Sequence, residues 1–242
     1  MKKALNTLPA APDDAYQEIM NRIKNAGKYS QGTAFRTLAW IFHAARPLRM
    51  DELLEALDVH DAWLENEEVT QLPVTGDDYD VAAILKNCQS LVRYDEPSGI
   101  VRFAHPTVQN FLEGQDIPGP SELAMTCMTF LGFRDSEYKR VESHEFYKYA
   151  LRFWALHTRG EAERFENIQR AIVRLLSDEN ERTSRLRATN PWNRSAGQTW
   201  LHIAAEQGLA TFSGIIFERA IDRYDRYVLS AIPLKVGHII QY

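Results

Sequence analysis

The sequence predicts a mainly α-helical protein, and three observations predict it. Apolar residues recur at helical spacing along most of the chain, as in Tyr16, Ile19, Met20 and Ile23. One stretch, residues 91–112, reads differently: two short apolar, β-prone runs flank the turn formers Asp95-Glu96-Pro97-Ser98-Gly99. A helix then opens on His105-Pro106-Thr107, with Pro106 where a first turn tolerates it and Val108, Phe111 and Leu112 on one face.

Taken in order, Leu8-Pro9 and Pro12-Asp13-Asp14 read as a linker (residues 1–12) ending in a helix cap, with Tyr16 to Ile23 forming the first helix. Gly27 and Gly32 are expected to bracket a break. A second helix is expected from about Thr33 to Ala45, burying Phe35, Leu38, Phe42 and either Trp40 or Ile41, until Arg46-Pro47-Leu48 stops it. A short third helix should begin at Met50 or Asp51 and run through Leu57, with Leu53, Leu54 and Leu57 inward. The segment from His60 to Asp80 carries Glu65, Glu67, Glu68, Asp77, Asp78 and Asp80 and reads as a surface loop. Val81, Ile84, Leu85, Cys88, Leu91 and Val92 then suggest the helix that enters the hairpin. Three to four helices followed by a β-hairpin is the order of a winged helix, placed at residues 13–115.

Gly114, Pro118, Gly119 and Pro120 mark a boundary. Beyond it a helical connector, residues 120–180, is expected. Ser121-Glu122 caps its first helix, with Leu123, Cys127, Met128 and Leu131 inward. A second spans about Ser143 to His157, burying Phe146, Tyr147, Ala150, Leu151 and Trp154. A third spans about Glu161 to Leu176, burying Phe165, Ile168, Ile172, Leu175 and Leu176. After the polar segment 177–196, Thr199-Trp200-Leu201-His202-Ile203-Ala204-Ala205 and Gly208 resemble the opening of an ankyrin repeat, with Trp200 in place of the usual Pro. Ile215, Ile216 and Phe217 would fill its second helix, giving one degenerate repeat at 197–220 before an irregular tail, 221–242. Since about three such units are needed to bury a stacking face, the chain is expected to stop one repeat into an array.

Composition narrows the function classes. An apolar share of 45% and a charged share of 25% are those of an ordinary globular protein. A net charge of −5 argues against a general nucleic-acid binder, which would carry a basic face. The clustered Arg182, Arg185, Arg187 and Arg194 fit a solvated linker better than such a face. Cys88 and Cys127 lack metal spacing and sit in apolar helical patterns, so buried reduced thiols are expected. No spanning run of apolar residues and no signal-peptide core are visible, so a cytoplasmic location without membrane association is expected.

No catalytic, metal or cofactor motif stands out. The nearest approach to a phosphate-binding loop is Gly27-Lys28, but Arg22 replaces the first Gly and Tyr29 follows the Lys. His43, His60, His105, His144, His157, His202 and His238 show neither H-E-x-x-H nor paired spacing with Cys, and there is no G-x-S-x-G. The expectation is therefore no enzyme, no catalytic residues, no metal and no cofactor of its own. The acidic stretch before Asp80 lacks the register of a calcium loop.

Several segments together resemble the winged-helix region and ankyrin start of fungal NACHT–ankyrin signal-transducing NTPases of the STAND class. The resembling stretches are Trp40-Ile41-Phe42-His43-Ala44-Ala45-Arg46-Pro47-Leu48 followed by Glu52-Leu53-Leu54-Glu55-Ala56-Leu57, Cys88-Gln89-Ser90-Leu91-Val92, and Val101 to Leu112. Leu8-Pro9 with Tyr16 to Met20, and Tyr149 to Trp154 with His157, add to the likeness. Its winged helix is of the type found beside GPI inositol-deacylase-like sequences. The resemblance implies a non-catalytic regulatory segment that couples nucleotide state to conformation. Its implied partners are a NACHT nucleotide-binding core and a protein ligand held by the ankyrin repeats. It also implies that His105, within Phe103-Ala104-His105-Pro106-Thr107-Val108-Gln109-Asn110-Phe111, contacts the phosphates of a nucleotide held by that core. The alternative is a DNA-binding winged helix, for which the helix near Val81–Val92 offers only Lys86 and Arg93.

Overall fold

The computed structural model describes residues 12–65, 80–131, 144–177, 204–205 and 208–214. The linker before Pro12, most of the acidic stretch, the clustered arginines, Thr199 to Ile203, Ile215 to Phe217 and the tail lie outside the described residues. The chain falls into two compact units, one ending at Gly119 and one running on from Pro120.

The first unit opens with helices α1 (Pro12–Lys24) and α2 (Lys28–His43). Pro12 belongs to the helix rather than to the linker, as its fixed φ and missing N–H allow at a helix start. Met20 and Ile23 are fully buried, so the apolar face read from α1 is the one that packs. In α2 the expected break at Gly32 does not occur. The helix starts five residues earlier than Thr33, and the Arg36 guanidinium lies across Gly32, 3.2 Å from where a Cβ would sit. Leu38 and Trp40 are buried, whereas Phe35, Ile41 and Phe42 are only half-covered.

A two-residue strand β1 (Leu48–Arg49) comes next, followed by α3 (Met50–Glu65). The strand was not expected, and α3 runs well past Leu57 into what the charges suggested was loop. The turn between α2 and β1 is pinned by charge. Both Arg46 guanidinium nitrogens donate to the Glu52 carboxylate, at 2.8 and 2.6 Å, and Arg49 N–H donates to Glu52 Oε2 at 2.9 Å. Glu52 is 3% exposed, and these bonds account for the burial of its charge.

Helix α4 (Val81–Asn87) is capped by Asp80, whose carboxylate accepts from Ala83 N–H. One member of the acidic stretch is thus a helix start. Gln89 and Ser90 follow at φ 48° and 71°, turning the chain from α4 into strand β2 (Val92–Asp95). Val92 therefore belongs to the strand and not to the preceding helix. Strand β3 (Ile100–Phe103) pairs antiparallel with β2, with Arg93 opposite Arg102 and Tyr94 opposite Val101. Gly99 closes the hairpin at φ +68°, its N–H bonded to Asp95 C=O at 2.8 Å, and Ser98 Oγ bonds Asp95 Oδ2. β1 pairs on the other side of β3, so the sheet order is β1-β3-β2. Leu48, Val92 and Val101 turn to the core with Leu53, Leu57, Ile84 and Leu91. Helix α5 (Pro106–Leu112) closes the unit, burying Val108 and Leu112.

The second unit packs α6 (Pro120–Leu131) against α7 (Glu145–Thr158) and α8 (Glu166–Ser177), with a 3-10 turn, Gly160–Arg164, between the last two. Its centre is aromatic: Phe130 meets Phe146 edge-on at 5.2 Å, and Phe146 stacks on Tyr149 at 5.6 Å. Tyr149 Oη and His157 Nε2 share a buried hydrogen bond of 2.8 Å, which lets both polar groups sit inside. Leu151, expected inside, is half-buried. Phe165 is 52% exposed instead of inward: the 3-10 turn ends before it, and its extended backbone (ψ 128°) breaks the helical phase that Ile168 and Ile172 obey. Glu163, 3% exposed, accepts from Thr211 N–H at 2.9 Å and Phe212 N–H at 3.3 Å, capping from a distance the helical residues that start at 210. Leu209 and Phe212 are buried in the same unit, and Gly208 turns at φ +68°.

Three outcomes follow from these ties. Replacing Glu52 by Ala leaves the Arg46 guanidinium and the Arg49 N–H without their acceptor. It should destabilise the first unit by about 2–4 kcal/mol in urea unfolding, below the value for a fully buried pair because Arg46 is part-exposed. Glu163→Ala should cost about 2 kcal/mol and speed hydrogen exchange at the Thr211 and Phe212 amides, with Glu163→Gln intermediate. Burial lowers the pKa of His43, only partly opposed by a hydrogen bond with the Pro118 backbone. The unfolded chain therefore binds the proton first, and the stability contributed by neutral His43 is complete above pH 6.5 and falls as pH drops toward the folded value. His43→Gln should flatten that part of the stability–pH curve.

Candidate functional site

The residue singled out by sequence, His105, lies where β3 hands over to α5. Its extended backbone (φ −146°, ψ 147°) is what the following Pro imposes, and Pro106 fills the first helical position without leaving an unpaired N–H. His105 is the N-cap: its Nδ1 accepts from Thr107 N–H at 3.2 Å, and its C=O accepts from Val108 N–H at 3.1 Å. The imidazole is exposed.

A hydroxyl chain fixes the tautomer. An amide N–H can only donate, so Nδ1 carries a lone pair and the neutral ring holds its proton on Nε2. Thr107 Oγ1 lies 2.8 Å from the same Nδ1 and must donate to it, and Tyr16 Oη, 2.8 Å from Thr107 Oγ1, must then donate to Thr107. Tyr16 also packs on Phe111, ring centroids 5.5 Å apart, so α1 holds α5 near its start and near its end. The sequence reading missed Thr107 and Tyr16. A hydroxyl two residues after a capping residue is a local sign of the first, but nothing local marks a tyrosine 91 positions away.

The other candidates resolve structurally. Cys88 and Cys127 are free and buried; desolvation pushes the Cys88 thiol up to about 12 and Cys127 higher still. Thr37 Oγ1 has no hydrogen bond of ordinary geometry, and its weak contact with Cys88 only slightly offsets that shift. His144 precedes α7 and meets Phe130 edge-on, and His157 is the buried partner of Tyr149. His60, His202 and His238 have side chains outside the described residues. Among the described residues no cluster of His, Cys, Asp or Glu could hold a metal, and no helix is long and apolar enough to cross a membrane.

The surface a DNA-binding winged helix would use is mixed in charge. The exposed basic residues here are Lys86 on α4 and Arg93 and Arg102 on the hairpin, while the hairpin tip carries Asp95 and Glu96. The arginine pair on the outer face of the wing was not read from sequence, because only the strand register sets the two side by side.

Comparison with curated proteins and with solved structures found no match. A family model does match: that of the GPI inositol-deacylase winged helix domain, over residues 20–126. The match takes in α2 to α5, the three-stranded sheet and the first residues of α6. Helices, hairpin and family model agree on a winged-helix fold for this region, which is similar to the GPI inositol-deacylase winged helix domain.

Proposed function

We propose that the chain is a non-catalytic regulatory segment of a NACHT–ankyrin signal-transducing NTPase. In this reading the winged helix docks on a nucleotide-binding core and reports which nucleotide it holds, and the repeats that begin after the helical connector bind a protein ligand. The observation that carries the reading is the geometry of His105. Its Nδ1 is tied down by Thr107, so the exposed ring offers Nε2–H outward as a donor, the polarity a phosphate oxygen requires. The family-model match over 20–126 supports the winged-helix part of this reading, and the ordered sequence likeness is what suggests its NACHT–ankyrin context.

The competing reading is duplex DNA binding. Arg93, Arg102 and Lys86 favour it; the acidic wing tip and the net charge of −5 weigh against it. Titration of the purified chain into a matching NACHT core, loaded with nucleoside diphosphate or triphosphate, tests the proposal. Binding is expected in one nucleotide state, weakened about tenfold by His105→Ala, the effect of losing one hydrogen bond to a charged group. Tyr16→Phe, which removes the first donor of the hydroxyl chain, should weaken it less. Absence of binding in both states, or a salt-sensitive gel shift with duplex DNA in its place, would defeat the reading.

A further inference from the structure

β2 is an edge strand, because the sheet order β1-β3-β2 leaves its outer side unpaired by any described strand. The phase of that edge is set by the ladder. Ala104 N–H bonds Leu91 C=O at 2.9 Å, so in the antiparallel alternation Arg93 and Asp95 turn their main-chain groups toward β3. Val92 and Tyr94 turn theirs outward. The other side of β3 agrees: Met50 N–H bonds Gly99 C=O at 2.9 Å, which assigns the alternate residues of β3 to β1.

The side chains alternate as well. Leu48, Val92 and Val101 face the core, so Tyr94 lies on that side too, and Arg93, Asp95 and Arg102 share the outer face. Arg93 stands directly opposite Arg102, both exposed, and among the described residues neither has an ion-pair partner. Two like charges at this spacing disfavour the hairpin unless an anion lies beside them.

The strand Val92-Arg93-Tyr94-Asp95 supplies such an anion when it is laid antiparallel against itself. A two-fold axis at Tyr94 lets the outward N–H and C=O of Tyr94 bond those of the same residue in a second copy. It also sets Arg93 opposite Asp95 of that copy, and Asp95 opposite its Arg93, all on the outer face. Shifting the axis by one residue, to Arg93 or to Asp95, would set arginine on arginine or carboxylate on carboxylate. We propose that the β2 edge is a self-association surface, its occupant a second copy of this chain paired about Tyr94, so that two small sheets become one continuous antiparallel sheet. The pairing uses the β2 edge and none of the groups around His105, and it stands whether or not the nucleotide-sensing reading holds.

A contact this small gives a weak, concentration-dependent dimer. Sedimentation velocity of the full chain over a wide concentration range should show reversible monomer–dimer exchange. Arg93→Asp makes both facing positions acidic and Asp95→Arg makes both basic, so each alone should weaken association about tenfold or more. Mixing the two variants in equal amounts should restore it, as should the double exchange in one chain, which also shows that neither change has unfolded the wing. A chain that stays monomeric at every concentration, single variants that associate like the parent, or a mixture that fails to recover would each overturn the proposal.

Discussion

The winged helix depends on the bidentate pair between Arg46 and Glu52. A strand of two residues cannot hold itself in place; Glu52 grips Arg46 just before β1 and the Arg49 N–H within it. With β1 fixed, β3 has a partner on each side, and the hairpin is held as the middle and edge of a three-stranded sheet instead of as a marginal ribbon. β3 in turn delivers the chain to His105 at a set angle. Glu52, β1, β3 and the start of α5 thus form one continuous path of pairing that ends at the exposed imidazole.

What the sequence made legible was whatever is local. The hairpin could be read from Asp95 to Gly99 because the turn needs a residue at positive φ and Gly99 provides it. The start of α5 could be read from His105 and Pro106, and Met20, Leu38, Leu53 and Leu57 from their spacing. What escaped is set by tertiary pairing. β1 has no periodicity to read, and α3 continues past Leu57 because the charges there lie on a helix that packs by Ala56, Leu57 and Val59. Phe165 fits an inward helical series on paper, but the 3-10 turn before it ends the phase at Arg164. For the site, the capping residue was legible and its supports were not, since Tyr16 reaches Thr107 only after α1 has packed against α5.

Gln89 and Ser90 show a different kind of constraint. Two consecutive non-glycine residues at positive φ are unfavourable, by about 1 kcal/mol or more each. They persist because α4 must give way to β2 within four residues, with Cys88 and Leu91 both fully buried on either side. Leu91 N–H to Cys88 C=O, at 3.0 Å, closes that turn. The strain is compensated by the burial of its flanks, and it fixes the register at which Arg93 enters the sheet.

The second unit uses the same logic with one residue. Glu163 is the buried carboxylate there, and it spends its charge on backbone N–H groups rather than on a guanidinium. At 210–214 the first amides of the helical segment have an acceptor waiting, and its apolar side, Leu209 and Phe212, has a place to go. Each unit thus has a nearly inaccessible glutamate tied to backbone N–H groups. His105 follows the opposite rule. Its ring is exposed, its one lone pair is consumed in capping, and what remains is a donor and no acceptor. With Nδ1 accepting from the Thr107 amide, the exposed Nε2–H is a donor that can hold an anion.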